Sequence, residues 1–343
     1  MLSRFLNAHA EFAVDPGTAN TVIFARHRGV VAMEPSVVAL RRRMGAAEVV
    51  AVGRPAWEML GRTHPGLRAV HPIAGGTVAD FESARVLLSH LLRQQRERRQ
   101  LRGPAVLVST PAAATPVERR ALTEVMLSAG AHDARLADEP VAAAIGAGLD
   151  VLGSTGALVI DVGAGKTEVA VLCLGGVVRS AHCPLGGDAM DEAIQTHLRR
   201  VHNLYVGPRT AERVKIELGS AVQPASGRER RLVVAGYDSR IGGPGSVEIG
   251  ESEIADCLEE TLQRIVDTIV EVTGAIPAEL AADLIDSGFT MTGGASQLRN
   301  LDARLARETG MRVALADDPA ACVAIGMGRL LDGSLKLLPR NAA

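Results

Sequence analysis

The sequence predicts an α/β protein of two similar halves, each a β-sheet with helices. Three observations point there. First, the chain carries one strand–turn–strand device twice. Asp161-Val162-Gly163-Ala164-Gly165-Lys166-Thr167 follows the apolar run Ala157-Leu158-Val159-Ile160 and leads into Glu168-Val169-Ala170-Val171. Asp15-Pro16-Gly17-Thr18-Ala19-Asn20-Thr21 follows Phe12-Ala13-Val14 and leads into Val22-Ile23-Phe24. Both read Asp-x-Gly-x-x-x-Thr, and each stands near the start of a half-chain, the mark of a long-period duplication. Second, 343 residues exceed one simple core and suggest two domains. Third, apolar strand-like runs alternate along the chain with stretches of helical periodicity.

The repeated turn has the chemistry of a phosphate site. It gathers a carboxylate, small residues, and in the second copy a Lys and a Thr, so that backbone N–H groups can approach an anion closely. Gly165-Lys166-Thr167 has the look of a P-loop. That motif requires a Gly five positions before Gly165, where Ile160 stands, and it must open a helix. The residues after Thr167 read instead as a strand ending at Gly175-Gly176. One copy alone also reads as an ordinary hairpin turn; the pair favours two phosphate loops facing each other.

Composition sets the outer limits. Hydrophobic content of 47%, charged content of 22% and a net charge of −2 describe a globular protein with no global field to recruit nucleic acid, so no nucleic-acid partner is expected. Aromatic content of 2% leaves few platforms for base stacking and implies a core of Ala, Val, Leu and Ile. Cys173, Cys183, Cys257 and Cys322 have no paired spacing and sit in apolar runs, as buried thiols of a reducing cytosol do. No apolar run reaches membrane-spanning length, and Met1–Leu6 lacks the longer apolar core of a signal peptide.

Taken in order, residues 1–11 read as a short helix with Leu2, Phe5 and Leu6 on one face, or as a frayed terminus. After the first loop, Gly29–Arg68 contains strand-like pieces and the basic run Arg41-Arg42-Arg43, the pattern of a small insertion. Phe81–Leu92 has helical spacing and runs into Arg93–Arg102, a solvated face or a contact for anionic lipid at about 1 kcal/mol per basic residue. Pro104–Ser109 reads as a buried strand. Thr115-Pro116-Val117-Glu118 is a capping box opening a helix to about Gly130, and Asp138-Glu139-Pro140 opens a small-residue helix to Gly148. Beyond the second loop, helices are expected from Gly186 to about Val201, over Thr210–Leu218 and over about 252–273, with a β-rich insertion at 222–250. Phe289–Thr292 is a strand running into Gly293-Gly294-Ala295-Ser296, where a helix begins, an arrangement that lets backbone approach a nucleotide. Val313–Ala316 reads as a strand, Ala320–Leu331 as a helix and 332–343 as a tail.

These residues resemble the actin, sugar kinase and heat-shock ATPase superfamily, and within it the MreB and MreB-like bacterial actin homologues. The resemblance covers nearly the whole chain. It rests on Asp15…Gly17-Thr18-Ala19-Asn20-Thr21, Glu34-Pro35-Ser36-Val37-Val38-Ala39, Glu58-Met59-Leu60-Gly61-Arg62-Thr63, and Val117-Glu118-Arg119-Arg120. Further on it rests on Glu139-Pro140 through Gly148, Gly186-Gly187-Asp188 and Ala211-Glu212-Arg213. The resemblance implies an actin-like ATPase fold closing over ATP and Mg²⁺. The first half would be 1–148, with a core of 1–32 and 69–148 around an insertion at 33–68. The second would be 149–331, with a core of 149–185 and 246–320, an insertion at about 186–245, and a final helix, 320–331, packed back on the first half.

The resemblance also implies site residues. Gly17, Thr18, Ala19, Asn20 and Thr21 would form one phosphate loop, and Gly163, Ala164 and Gly165 the other. Glu212, Arg213, Val214 and Lys215 with Gly293, Gly294, Ala295 and Ser296 would hold the adenosine, and Asp15 and Asp161 would face the metal through water. Glu139 matches the position that orients the attacking water, although alone it reads equally as a helix N-terminal carboxylate. With Glu139, Lys166 and Thr167 are the catalytic candidates. The family has Gly-Gly-Gly-Thr-Thr-Glu where this chain has Gly163-Ala164-Gly165-Lys166-Thr167-Glu168, and its Asp-Leu-Gly is Asp15-Pro16-Gly17 here. Its third adenosine-loop Gly is Ala295. Lys166 either places an ammonium on the terminal phosphates or points to solvent.

The implied function is a cytoplasmic, ATP-binding cytoskeletal protein with slow turnover. It would form head-to-tail filaments at the inner face of the cytoplasmic membrane and work with cell-wall synthesis membrane proteins to set cell shape. A small-molecule kinase would need an acceptor site with a catalytic Asp, and a heat-shock chaperone a further substrate domain; neither feature stands out in the sequence.

Overall fold

The computed structural model describes residues 10–43, 46–95, 103–225 and 229–333. The apolar lead of the first loop forms β1 (Ala10–Pro16), and the chain turns at Gly17 into β2 (Asn20–Ala25) and then β3 (Gly29–Pro35). Next, β4 (Val38–Arg43), β5 (Ala46–Val52) and β6 (Leu67–Val70) make a separate small sheet in the order β5-β4-β6, with the short helix α1 (Arg54–Glu58) beside it. A hairpin of β7 (Ile73–Ala74) and β8 (Thr77–Val78) turns on Gly75-Gly76. There follow α2 (Phe81–Gln95), β9 (Ala105–Thr110), α3 (Pro116–Ser128), β10 (Asp133–Asp138) and α4 (Glu139–Gly146). β1 lies antiparallel to β2 and parallel to β9, giving the order β10-β9-β1-β2-β3. Every residue of β9 is buried, which fits a strand covered on both faces.

The second half repeats this plan. Its sheet strands are β11 (Ala157–Val162), β12 (Thr167–Cys173) and β13 (Gly176–Cys183), followed by α5 (Gly187–His202), β14 (Leu204–Tyr205), α6 (Pro208–Leu218), β15 (Arg231–Asp238) and β16 (Gly243–Gly250). Then come α7 (Glu251–Thr273), α8 (Ala278–Ser287), β17 (Phe289–Thr292), a 3-10 turn (Gly294–Gln297), α9 (Leu301–Thr309), β18 (Val313–Leu315) and α10 (Cys322–Leu331). The order β13-β12-β11-β17-β18 again sets two antiparallel neighbours on one side and parallel strands on the other. Asp15 faces Val22 and Asp161 faces Glu168 across equivalent hairpins. The duplication read in two turns therefore extends through both sheets.

One layer joins the halves. Ala13 and Leu107 from the first sheet and Val159, Ala170 and Leu172 from the second share a core with Ile145 of α4 and Met327 of α10. The two helices pack almost backbone to backbone, because a Cβ on Gly326 would lie 1.8 Å from the Ala142 carbonyl oxygen and one on Gly146 would lie 1.9 Å from that of Cys322. Small residues in Val141-Ala142-Ala143-Ala144 permit the same closeness. The capping box forms as expected: Thr115 Oγ1 accepts from the Glu118 N–H, and Glu118 Oε2 accepts from the Thr115 N–H at 2.8 Å.

Several elements depart from the sequence reading. Two helices do not figure among those expected: α1, too short to show a period, and α8, which buries only Leu284. The helix expected to begin at Gly293 is one 3-10 turn, and α9 starts at Leu301. β3 runs through 33 to Pro35 because its pairing continues to Asn20, and β16 runs past 245 to Gly250, paired there with Arg231. Glu11 belongs to β1, not to a helix over 1–11, and 1–9 fall outside the described residues, as do 96–102 of the basic run.

Candidate functional site

The two loops open onto a single cleft of about 320 Å³ between the halves, large enough for a small ligand. Asp15, Gly17, Thr18, Ala19 and Asn20 line it from the first half, and Asp161, Gly163, Ala164, Gly165 and Lys166 from the second. The loops touch. A Cβ on Gly165 would lie 2.6 Å from Thr18 Oγ1, and that hydroxyl accepts from the Gly75 N–H at 2.9 Å. Glycine at 165 is what allows the second turn to lie against the first.

Two carboxylates end the central strands. Ser109 Oγ donates to Asp15 Oδ1 at 2.6 Å, and Thr292 Oγ1 donates to Asp161 Oδ1 at 2.7 Å. Burial pushes the Asp15 carboxyl up to about 6, against the Ser109 hydrogen bond and with help from the charge of Asp161. Burial likewise raises Asp161. Two oxygen donors whose charge is poorly solvated suit a hard divalent cation, so the residues present fit Mg²⁺.

Beside them lies a buried ion cluster. Lys166 Nζ donates to Glu139 Oε2 at 2.8 Å and also to Glu168 Oε2, while Glu168 Oε1 accepts from the Ala112 N–H at 3.0 Å. Lys166 is 7% exposed, so it does not point to solvent. Burial pulls its ammonium down, yet the charges of Glu139 and Glu168 outweigh that and raise it. One ammonium between two carboxylates leaves an excess negative charge. Burial raises Glu139 well above the usual carboxylate range, Lys166 opposes this, and the charge of Glu168 adds to it.

Along the far wall, Glu212 and Lys215 of α6 and Gly293, Gly294 and Ala295 line the cleft. Lys215 Nζ donates to the Gly187 carbonyl and to Asp191 Oδ2, both at 2.9 Å. Burial pushes Asp191 up to about 6, with Lys215 opposing.

Five of the site residues expected from sequence do not line the cleft. Thr21 is fully buried with its Oγ1 2.9 Å from Ser36 Oγ, which in turn donates to the Gly17 carbonyl at 2.7 Å and so braces the loop from behind. Thr167 Oγ1 donates to the Leu185 carbonyl at 2.8 Å, and Ser296 Oγ to the Gly293 carbonyl at 2.6 Å. Val214 is in the core and Arg213 faces Glu217 at 3.8 Å. Helix geometry explains the last two: 212, 215 and 216 share a face, and 213 and 214 do not. The cleft also takes in Gly76, Asp188, Asp191, Ile216, Gln297 and Ala320, which the sequence reading missed. Of these, Ile216 was recoverable from the spacing of α6.

Residues 9–338 match the family described as MreB/Mbl protein. The chain belongs to this family. The cell shape-determining protein MreB of Escherichia coli (strain K12) is 43% identical over 336 residues, covering 97% of this chain and 96% of its own. The cell shape-determining protein Mbl of Bacillus subtilis (strain 168) is 36% identical over 331 residues, covering 96% and 98%. Among solved structures, MreB5 of Spiroplasma citri bound to ADP superposes with a TM-score of 0.88 at 32% identity, covering 94% of this chain and 96% of its own. A MamK double helical filament, at 24% identity and a TM-score of 0.76, supports the actin-like fold alone.

In this MreB/Mbl chain the halves also meet through Arg209 of α6, on the helix that forms the far wall. Its Nη1 donates to the Glu58 carbonyl at 2.9 Å, and the guanidinium lies 4.2 Å from the ring centroid of Trp57, the single tryptophan of the sequence. Such a contact contributes roughly 0.5–1 kcal/mol when exposed. If the cleft holds a nucleotide, Arg209→Ala is expected to speed its release about two- to fivefold, the factor that energy represents. Trp57 emission should follow cleft closure in stopped flow. Emission and release rate both unchanged by the substitution would show that Arg209 does not hold the halves together.

Proposed function

We propose that the chain binds ATP with Mg²⁺ between its two sheets and assembles head to tail into filaments at the cytoplasmic face of the membrane, where it organises cell-wall synthesis. The observation that carries this reading is the pair of like turns meeting across one cleft, each preceded by an aspartate whose charge is poorly solvated. Thr18, Ala19, Asn20, Gly163, Ala164 and Gly165 hold the phosphates through backbone N–H groups. Glu212, Lys215, Gly294 and Ala295 hold the adenosine, and Asp15 and Asp161 hold the cation through water. The cation supplies neutralisation of phosphate charge when bound. Glu139 orients the attacking water, and Lys166, by pairing with it, keeps turnover slow. The two sheets with their helices act as two domains moving about the α4–α10 layer.

The relative from Spiroplasma citri is described bound to ADP and to AMPPNP, which supports the nucleotide assignment. The names of the Escherichia coli and Bacillus subtilis relatives support the role in cell shape. Head-to-tail contact, one surface docking on a different surface of the next copy, yields a filament when the rotation between copies does not close into a ring. Among the described residues no helix is long and apolar enough to cross a membrane. Sedimentation tests the assembly directly. With ATP, Mg²⁺ and anionic vesicles the protein should pellet above a critical concentration, and a monomer under every nucleotide and lipid condition would contradict it.

A further inference from the structure

Away from the cleft, three metal-ligand side chains converge where the end of α5 meets the start of α7. His197 and His202 lie near the C-terminal end of α5, and Glu253 lies in the first turn of α7. His197 Nε2 is 2.6 Å from Glu253 Oε1, and His202 Nε2 bonds the same oxygen. The ligand atoms of all three lie within 4.8 Å of one another. Their side chains are 23%, 20% and 26% exposed, enclosed enough to be held in place and open enough for an ion to enter. Burial alone would raise the Glu253 carboxyl, but hydrogen bonds from His202 and His197 outweigh it and hold the group below its ordinary value. An anionic carboxylate therefore faces two imidazoles on helices of 16 and 23 residues.

We propose that His197, His202 and Glu253 form a site for a divalent transition-metal ion of the zinc type that clamps α5 to α7. Two imidazole nitrogens and one carboxylate oxygen, with water in the fourth position, are a donor set that zinc takes. Mg²⁺ and Ca²⁺ prefer oxygen-only sets, which separates this site from Asp15 and Asp161. Binding needs each ring to offer its Nε2 lone pair, with the ring proton on Nδ1, and the carboxylate to remain ionised. Tetrahedral ligands about 2.0–2.1 Å from the ion stand roughly 3.3 Å apart, so the His197–Glu253 pair opens by less than about 1 Å. The clamp would close the chain segment from α5 to α7, which includes α6 with Glu212 and Lys215 of the cleft wall. Metal occupancy would thus stiffen the wall that faces the adenosine.

The test uses the full chain, free of nucleotide and Mg²⁺, titrated with Zn²⁺ and Co²⁺ against a chromophoric chelator. One equivalent should bind and raise the melting temperature, and the Co²⁺ spectrum should lack thiolate-to-metal charge transfer, since four free cysteines are the competing ligands. His197→Gln and His202→Gln should each weaken binding by roughly 100-fold, because loss of even an outer-shell partner costs about 10–100-fold. In the unmodified protein, Zn²⁺ should protect His197 and His202 from carbethoxylation, a readout independent of how the variants fold. Absence of binding, affinity unchanged in both variants, a thiolate band, or equal carbethoxylation with and without Zn²⁺ would each overturn the proposal.

Discussion

Lys166→Thr is expected to raise the single-turnover rate of ATP hydrolysis by about tenfold or more. The ammonium of Lys166 takes Glu139 Oε2 at 2.8 Å, and a carboxylate neutralised by a contact cation is a weaker base. General-base catalysis contributes roughly 10²–10⁴-fold, and because loss of the ammonium raises the Glu139 carboxyl further, the gain should be read at alkaline pH, where that carboxyl is ionised. Electrostatic help raises a rate only where charge develops in the transition state, and an ammonium committed to two glutamates gives little there. The same substitution should lower the stability of the nucleotide-free protein. Lys166 is the shared partner of Glu139 and Glu168, and breaking a buried ion pair on one side costs about 3–5 kcal/mol. Chemical quench on pre-bound ATP reads the rate, and a thermal melt reads the stability. Lys166→Met separates the causes: it removes the charge without adding a hydroxyl, and should give most of the gain. A Thr variant as slow as the parent, or slower, would show that Lys166 does not restrain Glu139.

That restraint was not legible in the sequence. Lys166 could be read as a cation for the terminal phosphates or as a solvent-facing turn residue, and the structure excludes the second by burying the ammonium in the cleft wall between Glu139 and Glu168. One partner, Glu168, lies two residues on in the same hairpin, but the other, Glu139, begins α4 of the first half. Only the meeting of the two halves brings Glu139 to Lys166. What could be read was the local and the repeated. The hairpins carrying Asp15 and Asp161 are written in short contiguous stretches, and so are the Thr115–Glu118 capping box and the small-residue run of α4. Strand and helix periods then decide finer questions that motif matching does not. Thr21 and Thr167 fall on the inner side of their strands, and Arg213 and Val214 on the wrong faces of α6, so a contiguous motif overstates the cleft. Gly76 was missed for the opposite reason, since it reaches the cleft from a segment with no motif of its own, and Asp191 because it lies one helical turn beyond the Gly186-Gly187-Asp188 motif.

The central claim is that nucleotide and Mg²⁺ sit between the two aspartate-bearing loops, and Asp161 is the residue on which it turns. Asp161 is 5% exposed, at the end of the central strand of the second sheet, steadied by Thr292. Asp161→Ala removes one of the two carboxylates available to the cation and relieves the repulsion felt by Asp15. The two effects have opposite signs, and Mg²⁺ separates them. With Mg²⁺ the loss of a charged donor dominates, since hydrogen bonds and contacts of charged groups are worth about 1.5–3 kcal/mol, or roughly ten- to a hundredfold in affinity. Without Mg²⁺ the loss of a negative charge beside the phosphates should leave binding equal or tighter. The most direct measurement is calorimetric titration of AMPPNP into both proteins, with Mg²⁺ and with chelator. The expected result is a loss of at least tenfold in affinity confined to the Mg²⁺ arm; equal affinity of the two proteins in Mg²⁺ would contradict the placement of the site.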